Sequence, residues 1–424
     1  MELRYIWPEI LKLLLMKRTA LLLFLFATLS SQAQSPWPGE NWSSATPLTT
    51  VMNSAGLLEL SGLHWNPLNN RLYVVHGDGR LRVMQLDIPS HTFSQIGNKS
   101  ISGGPEGITQ ADFAANEFYT IDENNYEIRK YTHTTNFTTV TETKHWNLLQ
   151  SPSPMVDTGN TGPEGIIFVP DTNLASAGFV SSVTQQPYTS VKGAGGLFFV
   201  AHQDGGYVWV FDVNPNVNND FTYVGKYKTN RNESCDLSFD RSTGLLYILH
   251  NLSSNYIELT DLSLAQVSET KFATVSEYFV ANPADGNTNI EGFAVMPKCE
   301  SAVTGSAFLC RDVESNANAA IKLDAIRWFE PYLADGICEP LDVGHFIKSD
   351  LVVYPNPISN QFVVKMNSNG VKKITVYNSL GQKIWSEFTD GLETPIDAHS
   401  WPSGNYILSV ESDGNTTTQK ILKN

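Results

Sequence analysis

Residues 105–122 read Pro-Glu-Gly-Ile-Thr-Gln-Ala-Asp-Phe-Ala-Ala-Asn-Glu-Phe-Tyr-Thr-Ile-Asp. A carboxylate and a glycine open one short apolar run, and a second run with an aromatic at its third position closes on Asp122. The phrase occurs five times. Its openings are Ser61-Gly62-Leu63, Glu106-Gly107-Ile108, Glu164-Gly165-Ile166, Cys235-Asp236-Leu237 and Glu291-Gly292-Phe293. Its second runs are Arg71 to His76, Glu117 to Asp122, Leu197 to His202, Leu245 to His250 and Ser306 to Arg311. Short β-rich runs repeating every roughly 45 to 70 residues, with no helical pattern between them, are the signature of a β-propeller.

The repeats predict an all-β fold, a five-bladed propeller over residues 56–330. Repeat two shows four strands: Ile108 to Ala111, Glu117 to Asp122, Glu127 to Tyr131 and Thr138 to Trp146. Repeat five offers three, Phe293 to Met296, Ala307 to Arg311 and Ile321 to Trp328. Propellers close their ring by mixing both chain ends in one blade, which removes exposed strand edges. Thr49 to Leu58 is the expected closing strand, beginning in a lead-in over residues 34–55, and six blades are the alternative count.

Ahead of these, Lys17 and Arg18 precede the apolar run Ala20 to Ala27, and Ser31-Gln32-Ala33 forms a small-x-small cleavage site. Residues 1–33 therefore read as a signal peptide, with Met16 the better initiator. The apolar run is too short to span a bilayer, and no other stretch approaches a transmembrane segment. A net charge of -15 and a pI near 5.0 argue against general nucleic-acid binding. Four cysteines in an exported chain permit disulfides, and Cys299 and Cys310 are placed to face each other across the first hairpin of the last repeat.

Beyond a linker over residues 331–350, period-two runs at Phe362 to Met366, Lys373 to Tyr377, Ile384 to Glu387 and Asn405 to Val410 predict a small C-terminal β-sandwich. Its strings Tyr354-Pro355-Asn356-Pro357, Val376-Tyr377-Asn378, Leu380-Gly381-Gln382-Lys383 and Ser403-Gly404-Asn405-Tyr406-Ile407, with Lys420 and Lys423 at the end, resemble the type A C-terminal sorting domain of the Bacteroidetes type IX secretion system. The resemblance covers residues 351–424. It implies that the type IX machinery is a partner, and that the chain is released or attached at the cell surface.

On antiparallel strands, the start of each first run and the end of each second run share one mouth of the channel. That geometry nominates two rings. The inner one holds Ser61, Glu106, Glu164 and Glu291, with Cys235 at the fourth position. Converging carboxylates repel one another unless a cation or donors sit among them, and Ca2+ accepts six to eight oxygens at about 2.3 to 2.6 Å. The bland alternative is that these carboxylates accept backbone N–H bonds. The outer ring holds His76, Asp122, His202, His250 and Arg311. There His76, His202 and His250 would be catalytic proton carriers, and Asp122 and Arg311 would bind a ligand, unless all five merely tie neighbouring turns.

The opening strings resemble those of the SdiA-regulated propeller family, and their Ser, Glu, Glu, variable, Glu order resembles the axial calcium ring of five-bladed calcium-dependent apyrases. Cys235 departs from that ring, whose fourth position is Ser. The resemblance implies a calcium ion more strongly than it implies nucleotide hydrolysis, because fold and metal do not fix the reaction. The sequence thus reads as a monomeric exported calcium propeller that binds a small-molecule or surface ligand at the channel mouth. A calcium-dependent phosphohydrolase and a purely structural surface protein are the alternatives.

Overall fold

The computed structural model describes residues 35–52, 59–252, 254–266, 270–286, 289–299, 305–313, 316–336, 351–365, 371–378, 381–412 and 415–424. The expected signal peptide and most of the expected linker lie outside these residues. The chain separates into two units, dividing between Cys338 and Glu339.

In the first unit each repeat folds as a four-stranded antiparallel sheet. The first sheet comprises Leu60–Asn66, Arg71–His76, Arg80–Asp87 and Thr92–Ser100. The second comprises Pro105–Thr109, Glu117–Asp122, Glu127–His133 and Val140–Asn147, and the third Pro163–Pro170, Gly196–His202, Tyr207–Val213 and Phe221–Lys228. The fourth comprises Asp236–Asp240, Leu245–Leu252, Ser254–Gln266 and Lys271–Phe279. It touches the third through one parallel pair at their outer strands, Lys228 with Lys271. Ile290–Val295, Ala307–Arg311, Ile326–Phe329 and Thr46–Pro47 make the fifth.

Strand alternation builds the core. On Gly196–His202, Phe198 and Val200 pack with Tyr119 and Ile121 of the second sheet, while Leu197, Phe199 and Ala201 pack with Leu237, Leu246 and Ile248 of the fourth. One such apolar wedge fills each junction between neighbouring sheets. The wedge of Trp65, Leu72, Phe308 and Trp328 joins the fifth sheet to the first, so the ring closes on itself. Burial on both faces explains why the second strands read as continuous apolar runs rather than alternating ones.

The closing strand lies upstream of its expected place. Thr46 pairs with Trp328 and Pro47 with Arg327, whereas Thr49–Met52 forms a turn of 3-10 helix. Pro47 is tolerated because this strand is an outer edge, where no further partner needs its missing N–H. Thr49 instead accepts the amides of Ala325 and Ile326 at its Oγ1, both at 3.0 Å, which fastens the lead-in to the strand it continues past. Residues 53–58 of the expected strand lie outside the described residues. Ile321 is likewise not in a strand; it sits in the helical turn Ala319–Lys322, capped by Asn318, whose side chain accepts the Ile321 amide.

The expected Cys299–Cys310 disulfide does not form. Cys310 is a free, buried thiol in the wedge between the fifth and first sheets, while Cys299 is disulfide-bonded elsewhere. Cys310 sits on the second strand of the fifth sheet, Ala307–Arg311, where the ladder sets it opposite Gly292 and its side chain packs with Leu63, far along the hairpin from Cys299.

The second unit is a two-sheet sandwich. Val352–Tyr354, Gln361–Lys365 and Glu393–Asp397 face Lys383–Thr389, Lys372–Asn378, Gly404–Ser412 and Asn415–Lys423 across a core that includes Phe362, Val364, Ile374, Val376, Ile396, Leu408 and Ile421.

Candidate functional site

A register irregularity recurs at the mouth where the first strands begin. The pairing shifts between Leu60 and Gly62, between Pro105 and Gly107, between Pro163 and Ile166, and between Ile290 and Gly292. Such a bulge leaves one residue outside the ladder and re-aims its side chain. The residues so displaced are Ser61, Glu106, Glu164 and Glu291.

The glycine after each bulge is required by close approach. A Cβ on Gly62 would lie 2.5 Å from the Glu106 carbonyl, one on Gly107 2.6 Å from the Ile166 amide nitrogen, and one on Gly292 2.7 Å from the Ser61 carbonyl. These contacts narrow the axis to a waist of packed backbone. The fourth sheet is different, with no shift at Asp236, which pairs directly with Leu249. Asp236 accepts the Leu237 amide at one carboxylate oxygen and the Phe293 amide of the fifth sheet at the other, each at 2.8 Å. Burial pushes its pKa well above the ordinary value, and the amides draw it back.

Above the waist lies a cavity of about 330 Å³ lined by Glu59, Ser61, Gly77, Glu106, Glu123, Asn124, Glu164, Gln203, Glu291 and Asp312. Six of these are carboxylates and none is basic. Burial first, then Glu123, Glu59 and Asp122, raise Glu106 to about 7 against the pull of the Ser61 hydroxyl. Glu291 is raised to about 8 by burial, then by Glu106, Asp312 and Glu233. Glu164, 7% exposed, is held well above the usual carboxylate range by burial and by Glu106, Glu123 and Glu291.

In donor chemistry this set suits a hard cation, since carboxylates and a hydroxyl converge where their charge is unbalanced. Among the described residues, however, no group of three or more His, Cys, Asp or Glu side chains stands in metal-holding geometry.

The structure therefore brings Ser61, Glu106, Glu164 and Glu291 together, with Cys235 buried beneath them and its Sγ 3.4 Å from the Leu249 carbonyl. It does not bring the five expected outer residues to the cavity wall. His76, Asp122, His202, His250 and Arg311 are each 2% exposed or less. Asp122 takes Arg129 at 3.1 Å and closes its turn on Asn125; Arg311 pairs with Asp285 at 2.9 Å and Asp324 at 3.1 Å. His202 accepts the Asp204 amide at Nδ1, and burial lowers its pKa to about 4. His250 binds the Glu233 carbonyl and, at 3.3 Å, Glu258.

The second ring is instead one residue further along. Gly77, Glu123, Gln203 and Asp312 line the cavity and directly follow His76, Asp122, His202 and Arg311. Asn251, which follows His250, reaches Glu291 at 3.5 Å. A displacement of one residue reverses the direction of a strand's side chains. The signal was present, because the last residue of a strand buried on both faces is itself buried.

Comparison with known proteins bears mainly on the second unit. Residues 352–424 match the family described as the secretion system C-terminal sorting domain. An ulvan lyase of Nonlabens ulvanivorans is 31% identical over 71 residues, which is 16% of this chain and 13% of that enzyme's length. Among solved structures, a Lactobacillus plantarum protein is similar at a TM-score of 0.32 and 14% identity, over 52% of this chain and 55% of that one. The hydrazine synthase of Kuenenia stuttgartiensis is similar at a TM-score of 0.33 and 10% identity, over 69% and 62%. The sorting domain places the chain with exported proteins, carried through the type IX system to the cell surface or the medium. Among the described residues no helix is long and apolar enough to cross a membrane.

Proposed function

We propose that the first unit is a calcium-containing propeller of the SdiA-regulated type that binds a ligand at the mouth of its channel. The carrying observation is the bulged ring: Ser61, Glu106, Glu164 and Glu291 are aimed at one cavity, and their carboxylates are disfavoured there for want of a counter-charge. These four residues would hold the ion, with Glu side chains turning inward onto it, and calcium would supply the charge that the cavity lacks. Glu123, Gln203, Asn251 and Asp312 form the rim that a ligand meets first. Binding is favoured over hydrolysis because the histidines available as proton carriers are spent inside the sheets. Metal analysis of the purified chain tests the reading. About one calcium ion per chain is expected, absent from the Glu106→Gln/Glu164→Gln variant; unchanged metal content in that variant overturns it.

A further inference from the structure

The opposite mouth of the ring, where the five first strands end, holds a second and chemically different cavity of about 450 Å³. Every sheet contributes to its wall. Trp65, Phe113, Phe168 and Phe239 give it aromatic faces, and among its polar lining, which includes Asn70, Ser238 and Ser242, stand His64 and Arg241.

Arg241 is held in place from two sides. Its guanidinium lies 3.7 Å from the centre of the Phe113 ring and donates from Nη2 to the carbonyls of Gln110, at 2.8 Å, and Ala111, at 3.2 Å. Asn173, on the helix Asp171–Ala177 inserted between the first two strands of the third sheet, donates to the Arg241 carbonyl at 3.0 Å. Among the described residues no carboxylate pairs with this guanidinium; Asp112 acts on it only at a distance. His64 is 6% exposed, and its buried Nε2 has no hydrogen-bond partner. Burial and the nearby Arg241 hold the imidazole neutral, at a pKa of about 3. A buried polar atom without a partner and an unpaired cation, both on an aromatic wall, are costly features unless a ligand completes them.

We infer that this cavity is a binding site for a small, flat aromatic carboxylate, whose ring lies among Trp65, Phe113, Phe168 and Phe239 and whose carboxylate meets Arg241 and His64. Arg241 supplies the charge, and the His64 imidazole donates one hydrogen bond from Nε2 in the matching tautomer. The volume suits a small molecule, falling in the lower part of the roughly 300–1,000 Å³ common for such sites. The site is independent of the calcium reading, since the glycine waist lies between the two cavities.

Calorimetric titration of the purified chain with 2-naphthoate, and with the neutral 2-naphthamide, tests the inference. Naphthoate is expected to bind at least about tenfold more tightly than the amide, a preference that one charge-assisted hydrogen bond supports. Arg241→Met should remove that preference while leaving amide binding unchanged. His64→Leu, which keeps Arg241 and its backbone contacts, should weaken naphthoate about fivefold and serves if the first variant fails to fold. Glu106→Gln should change neither ligand. Equal affinity for the two probes in the natural chain, or no saturable naphthoate binding, overturns the inference.

Discussion

Raising the pH will destabilise the calcium-free propeller, and the effect follows from Glu291. Its pKa rises from an ordinary 4.5 to about 8 in the fold, chiefly through burial. Between those values the native state keeps a proton that the unfolded chain releases, so stability is full below about 4.5 and is lost as the pH climbs toward 8. At about 1.36 kcal/mol per pH unit, the whole climb removes on the order of 5 kcal/mol. In a unit of this size that is a fall of about 10 °C in Tm, at roughly 2 °C per kcal/mol. If the ring holds calcium as proposed, the ion would oppose the fall by binding the ionised carboxylates, and at about 100 times its Kd it would restore about 2.7 kcal/mol. Thermal unfolding should be followed between about pH 5 and pH 8 in chelator and in excess calcium. Glu291→Gln, which cannot ionise, should make the chelator curve shallower, the remaining slope coming from Glu106 and Glu164, whose carboxyls are also raised. A chelator Tm that stays level or rises with pH refutes the reasoning about the ring, and a calcium curve identical to the chelator curve at pH 8 removes the ion from it.

Two further outcomes are expected. Gly107→Ala should lower stability by about 3 kcal/mol, read from the urea midpoint at unchanged m value, because the new Cβ would stand 2.6 Å from the Ile166 nitrogen and 2.9 Å from the Glu164 carbonyl, backbone atoms that cannot swing aside. Nucleotides, phytate and simple phosphoesters should remain intact in the presence of calcium, since His76, His202 and His250 are sealed within the sheets; turnover abolished by His202→Asn would reinstate the hydrolase reading.

Much of the propeller was legible because its repeats carry their geometry in residue types. Glycine after each opening Ser or Glu marks the waist, and the aromatic in each second strand marks a wedge between sheets. What escaped had a different physical origin. A bulge depends on hydrogen-bond register, which no single strand encodes, so the aim of Glu106 could be anticipated from repetition but its cause could not. Strand ends alone put His76, Asp122, His202, His250 and Arg311 at the mouth, but each of these ends is still buried within its sheet, and the residue after it is the one that faces out. Cys299 and Cys310 are close in sequence, but the strand register sets Cys310 opposite Gly292, at the far end of the strand from Cys299. Arg241 and His64 carried no signal, since they meet only when strands about 180 residues apart in the chain end at the same mouth.

The fourth sheet is where the ring departs from its own pattern, and the two departures, Cys235 and Asp236, are linked. Elsewhere the bulge turns an oxygen-bearing side chain toward the upper cavity and the glycine behind it admits the neighbouring backbone. Asp236 occupies the glycine position, and its Cα stands where a Cβ on Gly165 would come within 2.6 Å. Its carboxylate then spans to the Phe293 amide, so the fourth and fifth sheets are joined by a side chain rather than by close backbone contact. With the ladder regular at Asp236, nothing turns residue 235 toward the cavity, and a small apolar thiol contacting the Leu249 carbonyl fits there better than a hydroxyl that would need a full partner. An ion held by the ring would therefore lean toward Glu106, Glu164 and Glu291 and away from Cys235, leaving its open side toward Asn251 of the fourth sheet. An incoming oxygen ligand would complete the coordination from that side.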